Sequence, residues 1–263
     1  MIAFERQGSG PPLVLVHGLT DSRRSWDPLL QPLEASFDVI TVDLRGHGES
    51  PDVGPYDPIT FASDVHDVLV AEHLEDGPLV VGHSLGGLVA TAYAAMFPCA
   101  GVINIDQPLD LGPFRATLRA YEDQLRDDDQ LEAAMAAMFT TMRGVLSDEE
   151  WDRLATNRRV NHEAVLAMWS PLLDLDAAQL DRAIAEMAEA VHGAYLALHG
   201  SALPDGYDEW LALHLPSARL LEWPGVGHLA HLVDPAGFVA LVDRFATAVR
   251  AEGDWRIAFD DAN

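Results

Sequence analysis

Ser84 stands in the stretch Gly82-His83-Ser84-Leu85-Gly86-Gly87. An apolar run, Pro78-Leu79-Val80-Val81, precedes it, and a buried-helix pattern, Leu88 to Phe97, follows and stops before Pro98. Strand, G-x-S-x-G and helix in that order is the setting of a nucleophile elbow. A sharp strand-to-helix turn lifts the serine hydroxyl clear of the sheet. It also presses the residues two positions either side against neighbouring backbone, so glycine is required at 82 and 86. The helix that starts at the serine aims backbone amides and its positive end at any oxyanion formed beside it. Stripped of its flanks, the same motif is only a glycine-rich turn. A free serine is too weakly acidic to attack at neutral pH, so the chain must also supply a base.

Composition narrows the chemistry. The chain has 263 residues, half of them apolar, enough for one α/β domain with an inserted subdomain. The net charge of −26 argues against nucleic acid and anionic lipid surfaces as partners. All 16 basic residues are arginine, which excludes Schiff-base, pyridoxal-anchor and P-loop lysine chemistry. The single cysteine, Cys99, allows no internal disulfide and reads as a small buried apolar residue. That cysteine usage, no apolar run near the roughly 20 residues of a membrane span and an N-terminus without a signal-peptide pattern lead to an expected cytoplasmic location.

The elements that must position Ser84 follow from hydrophobic patterning. Ile2–Glu5 reads as a short edge strand. Pro12–Val16, Asp38–Val42, Gly101–Ile105, Ala194–His199 and Ala218–Trp223 read as strands, several of them buried on both faces. Helices are expected around Trp26–Leu33, from near Pro58 with Phe61, Val65, Val68 and Leu69 inward, and from Asp234-Pro235 with Phe238, Leu241, Val242 and Phe245 inward. The last dozen residues read as polar and loose. Alternating strands and helices predict a mostly parallel sheet covered on both faces, formed by 1–107 and 194–263. Residues 108–193 lose the strand pattern and carry Met135, Met138, Phe139, Met142, Trp151, Met168, Trp169 and Met187 at helical spacing. They are expected to form a helical cap, at the carboxyl end of the strands where sites of such sheets lie. Its apolar residues suit its own core, and some could offer an apolar pocket to substrate.

Four motifs in order, His17-Gly18, Asp43-x-Arg45-Gly46-x-Gly48-x-Ser50, Gly82-x-Ser84-x-Gly86 and Gly227-His228, make the chain resemble the α/β-hydrolase superfamily. The resemblance runs over the whole chain outside 108–193. It implies the α/β-hydrolase fold, with Ser84 as nucleophile and His228 as general base. It implies an oxyanion hole from the backbone amides of Leu19 and Leu85, with Gly18 letting the chain turn toward the site. His17, Asp43, Arg45 and His47 would brace the loops. His231 reads as a surface residue, and a His-x-x-His metal pair lacks the carboxylates to support it.

The orienting acid is less direct. The family usually carries an aspartate two or three residues after the glycine of the loop that here reads Gly200-Ser201-Ala202-Leu203-Pro204-Asp205-Gly206. No aspartate stands there, and Asp205 comes late, in a turn pattern. Asp106 ends the strand after the elbow helix, as the acid does in haloalkane dehalogenases and zearalenone-type lactonases. It is the favoured acid, with Asp205 the alternative.

The expected function is hydrolysis of an uncharged carboxylic ester or lactone, on a small hydrophobic substrate, with no cofactor and no metal. A serine at 84 argues against dehalogenase and epoxide hydrolase chemistry, which need a carboxylate nucleophile. Perhydrolase, thioesterase and C–C hydrolase activities would use the same residues, and a non-catalytic ligand-binding protein on this fold is the reading from another class. Oligomeric state is left open.

Overall fold

A computed structural model describes residues 1–251 and 253–260. Seven strands form its sheet: β1 (Phe4–Gly8), β2 (Pro12–Val16), β3 (Asp38–Val42), β4 (Leu79–His83), β5 (Gly101–Ile105), β6 (Ala194–His199) and β7 (Ala218–Glu222). Their order is β1-β3-β2-β4-β5-β6-β7. Only the β1–β3 pairing is antiparallel, and β2 through β7 run parallel. This is the α/β-hydrolase fold. β1 extends to Gly8 because its backbone continues along β3, where Gly8 opposes Asp38. The central strands are wholly buried, as their unbroken apolar runs require once helices cover both faces.

On one face lie α1 (Asp27–Glu34) and, much later in the chain, α12 (Pro235–Ala248), with Leu29, Leu33, Phe238 and Phe245 fully buried between helix and sheet. On the other lie α2 (Pro58–Ala71) and α3 (Leu85–Met96). Asp57 caps α2 by accepting from the Thr60 amide at 2.9 Å, and Pro58 occupies the first turn, where its missing N–H costs nothing. Between β5 and β6 the chain runs through six helices: α4 (Gly112–Ala120), α5 (Glu122–Leu125), α6 (Leu131–Met142), α7 (Asp148–Asn157), α8 (His162–Asp174) and α9 (Ala177–Glu189). Met135, Met138, Met168 and Trp169 are buried in the apolar cluster that continues into α2 and α3. After β6 come α10 (Tyr207–His214) and, following β7, the short α11 (Ala230–Val233).

Two readings of the sequence need correction. The chain end is not loose throughout: Trp255–Phe259 forms a 3₁₀ turn whose Phe259 is fully buried against Phe245 and Trp255. Trp255 and Phe259, packed on each other and on Phe245, outweigh the polar residues there; positions 252 and 261–263 lie outside the described residues. Cys99 is half-buried rather than buried, and burial still pushes its thiol up to about 11. Among the described residues no helix is long and apolar enough to cross a membrane.

Candidate active site

The elbow is built as its glycines require. A Cβ on Gly82 would strike the Gly86 carbonyl, and one on Gly86 would strike the Val16 carbonyl of β2. Ser84 has φ 53° and ψ −123°, a conformation that L-residues rarely adopt. The elbow is docked on β5, where the Ser84 amide donates to the Ile105 carbonyl at 2.9 Å. The next residue is Asp106, also at φ 53°, whose own amide donates to Leu198 of β6 at 2.8 Å. Thr20, one residue past Leu19, has φ 66°. Three of the four non-glycine residues with positive φ among the described residues thus sit on loops that meet here. Strain of this kind persists where surrounding structure over-determines it.

His228 Nδ1 lies 2.6 Å from Asp106 Oδ2. The carboxylate takes three more hydrogen bonds: the Gly200 and Ser201 amides donate to Oδ1 at 2.7 and 2.9 Å, and the Ser201 hydroxyl donates to Oδ2 at 2.7 Å. Burial pushes the Asp106 carboxyl up, but the bond and charge of His228 and the Ser201 donors outweigh it and hold it well below the usual carboxylate range. An ionised Asp106 fixes the His228 tautomer with the proton on Nδ1 and leaves Nε2 as an acceptor. Asp205 is exposed in the turn before α10, and no hydrogen bond joins it to His228 among the described residues.

Ser84 reaches this pair through its neighbours. The His83 ring lies 4.6 Å from the His228 ring between centroids, and His83 Nε2 donates to the His228 carbonyl at 2.9 Å. Burial keeps His83 neutral, far below the usual histidine range. A Cβ on Gly18 would come within 3.2 Å of both His83 Nδ1 and Ser84 Cβ, which places the Gly18–Leu19 backbone against the serine. Leu19 and Leu85 are both buried. No hydrogen bond joins the Ser84 hydroxyl to His228 among the described residues.

The bracing loops are extensively bonded. His17 Nε2 accepts from the Leu44 amide at 3.0 Å, and Nδ1 lies 2.7 Å from the Gly18 carbonyl. Asp43, fully buried, accepts from the Arg23 and Glu49 amides at 2.7 and 2.9 Å and pairs with the Arg23 guanidinium. Arg45 grips Asp64 with two bonds, 2.6 and 2.7 Å, and His47 Nδ1 lies 3.0 Å from the Arg45 carbonyl.

Several site features escaped the sequence reading. His231 is not a surface residue. It is 1% exposed, with its ring 4.7 Å from that of His83 and 5.0 Å from that of Trp26, and burial lowers its pKa to about 3. The short helix α11 turns His231 inward against Phe238. His199, at the end of β6, lies 3.9 Å from Asp106 and is held down to about 4 by burial. Ser201 stood out only as a missing aspartate. A hydroxyl beside a strand-end glycine, facing the end of the neighbouring strand, was the available signal. Among the described residues no group of three or more His, Cys, Asp or Glu side chains is placed to hold a metal ion.

A groove of about 600 Å³ lies on the insertion, lined by Arg115, Arg119, Leu175 and Ala177 among others. It contains none of these site residues.

Comparison with known proteins agrees with this architecture. A family model described as "Alpha/beta hydrolase family" matches residues 13–241. The pimeloyl-[acyl-carrier protein] methyl ester esterase of Aromatoleum aromaticum is 30% identical over 253 residues, covering 89% of this chain and 97% of that protein. The protein of the same name from Nitrosomonas europaea is 29% identical over 262 residues, covering 92% and 98%. Among solved structures, an esterase from Rhodococcus sp. ECU1013 superposes with a TM-score of 0.68 at 26% identity, covering 94% of this chain and 95% of that one.

Proposed function

This chain belongs to the alpha/beta hydrolase family, and from that premise we propose that it cleaves an uncharged carboxylic ester or lactone through an acyl-enzyme on Ser84. The observation that carries the reading is the 2.6 Å contact between His228 Nδ1 and Asp106 beside a strained serine elbow. The relatives' names support ester bonds over thioester, perhydrolysis or C–C cleavage, since both are called methyl ester esterases. A net charge of −26 supports an uncharged substrate over an anionic one.

In this reading Ser84 Oγ attacks the ester carbonyl carbon and its proton passes to His228 Nε2. The carbonyl oxygen becomes an oxyanion, held by the amides of Leu85 and Leu19. Collapse of the tetrahedral adduct breaks the bond to the alcohol, which leaves with the proton from His228. Water then attacks the acyl-enzyme, giving its proton to His228, and Ser84 is released with the acid. Asp106 stabilises the imidazolium in both halves without taking the proton. The Ser84–His228 hydrogen bond is one that commonly forms only around bound substrate.

The helices α4–α9 serve as the cap over this site in the same reading. Ser84→Ala tests the reading: kcat on p-nitrophenyl esters should fall roughly 10⁴- to 10⁶-fold, as in serine proteases. A variant within tenfold of the wild type would exclude a serine mechanism.

A further inference from the structure

One unit of the insertion, α6 and α7 with their flanks, touches both loops that the acyl-enzyme chemistry needs. Toward His228, the His228 amide donates to the Met142 carbonyl at 3.1 Å and the Val145 amide donates to the Val226 carbonyl at 3.2 Å. Toward the oxyanion loop, the Arg159 amide donates to the Thr20 carbonyl at 2.9 Å, and Arg158 Nε donates to Asp21 Oδ1 at 3.0 Å. The Arg153 guanidinium adds bonds to the carbonyls of Arg24 and Ser25, 2.7 and 3.1 Å.

Arg158 is held on three sides. Its guanidinium carbon lies 4.7 Å from the Trp151 ring of α7 and 5.0 Å from the Phe139 ring of α6. Its side chain is 17% exposed and that of Asp21 only 6%. The Asp21 amide closes a turn onto the Gly18 carbonyl at 3.2 Å, with Leu19 inside the turn. A shift of Asp21 therefore shifts the Leu19 amide.

We propose that the α6–α7 unit is a fixed brace between the two catalytic loops, and that Arg158 is a positioning residue which, through Asp21, sets the Leu19 amide for the oxyanion. The inference rests on the acyl-enzyme reading and deepens it. A planar guanidinium suits the place between two rings and still offers Nε to a carboxylate; an ammonium does not. Parting the pair would leave two poorly solvated charges unpaired, so α7 and the oxyanion loop stay together. In this arrangement α7 does not swing as a gate.

The test uses the full chain with Arg158→Met, Arg158→Lys, Asp21→Asn and the Asp21→Asn/Arg158→Met pair, with Arg126→Met as a surface control. Readouts are kcat and KM on a p-nitrophenyl ester, the inhibition constant of an alkylboronic acid that forms a tetrahedral adduct with serine, and thermal stability. A misplaced oxyanion donor should lower kcat about 10- to 100-fold in both Arg158 variants, with KM nearly unchanged. Boronate affinity should fall by the same factor as kcat/KM, and the double variant should be no worse than Arg158→Met. A merely structural role would lower the melting temperature without moving kcat and boronate affinity together, and would overturn the proposal. So would any folded Arg158 variant with kcat within twofold of the wild type. Should Arg158→Met fail to fold, Arg158→Lys and Asp21→Asn decide the matter. An inactive Ser84→Ala beside unimpaired Arg158 variants sinks the brace alone; an active Ser84→Ala sinks the acyl-enzyme reading itself.

Discussion

The Ser201 hydroxyl donates to Asp106 Oδ2 at 2.7 Å, the same oxygen that faces His228 Nδ1. The two donors share one oxygen, so each moderates what the carboxylate offers the other. Ser201→Ala should leave the Asp106 carboxylate one donor short and less firmly aimed at His228 Nδ1, so kcat should fall about tenfold, the loss of roughly one hydrogen bond to a charged group. Ser201→Thr should restore the wild-type turnover. Wild-type kcat in Ser201→Ala would show that the hydroxyl does not help hold the carboxylate.

Asp106→Asn should cost on the order of 10⁴ in kcat, because the amide favours the wrong imidazole tautomer. Asp205→Asn should be nearly silent, because Asp205 is exposed in a turn. Steady-state kinetics of the two single variants separate the carboxylates. A large loss at Asp205 with little at Asp106 would overturn the assignment of the acid.

Stability should decline as pH falls from about 6.5 toward 4. Burial lowers His17 and His199 to about 4 and His231 to about 3, whereas in the unfolded chain they titrate near 6.5. Below that value the unfolded chain binds protons that the folded one does not. Each such histidine then adds a slope of about 1.4 kcal/mol per pH unit across its window. Asp106 acts lower down: its depressed carboxyl stabilises the fold above the unfolded value near 3.9 and loses that effect as pH drops further. His231→Phe, which keeps the ring contacts to Trp26 and His83, should flatten the melting-temperature curve between pH 4 and 6.5. A curve parallel to the wild type would count against a neutral buried His231.

Gly144→Ala should impair activity from a position outside the elbow. Gly144 has φ 60°, and a Cβ there would strike the Val226 carbonyl and come within 2.6 Å of Gly227 Cα. The displaced loop carries His228, so kcat should fall between about tenfold and a hundredfold. Wild-type kinetics in this variant would mean that the 226–228 backbone yields without moving His228.

The parts of the fold legible in the sequence are those fixed by local pattern. Pro12–Val16, Gly101–Ile105 and Ala194–His199 are strands with the expected ends, because unbroken apolar runs have one outlet in a covered sheet. The elbow glycines were legible because their need is steric and confined to six residues. The buried histidines were not, since nothing near His83, His199 or His231 in sequence announces that residues from distant segments will enclose them. Arg158 was missed for the same reason: Asp21, Phe139 and Trp151 come from three separate segments. At Asp106 the sequence left two carboxylates open. In the structure His228 Nδ1 lies 2.6 Å from Asp106, whose carboxylate also takes the amides of Gly200 and Ser201, and backbone donors of that kind are not legible from residue type.

The contacts of α6 and α7 also bear on the order in which the molecule assembles. β5 must pair with β6 across the whole run of helices between Ile105 and Ala194, a closure that is slow because it joins distant parts of the chain. Met142, Val145, Arg158 and Arg159 bond to loops that come from both sides of that gap. During refolding from denaturant, helical signal should therefore return before ester hydrolysis does. The regain of turnover then times the closing of the chain's topology rather than the growth of its secondary structure.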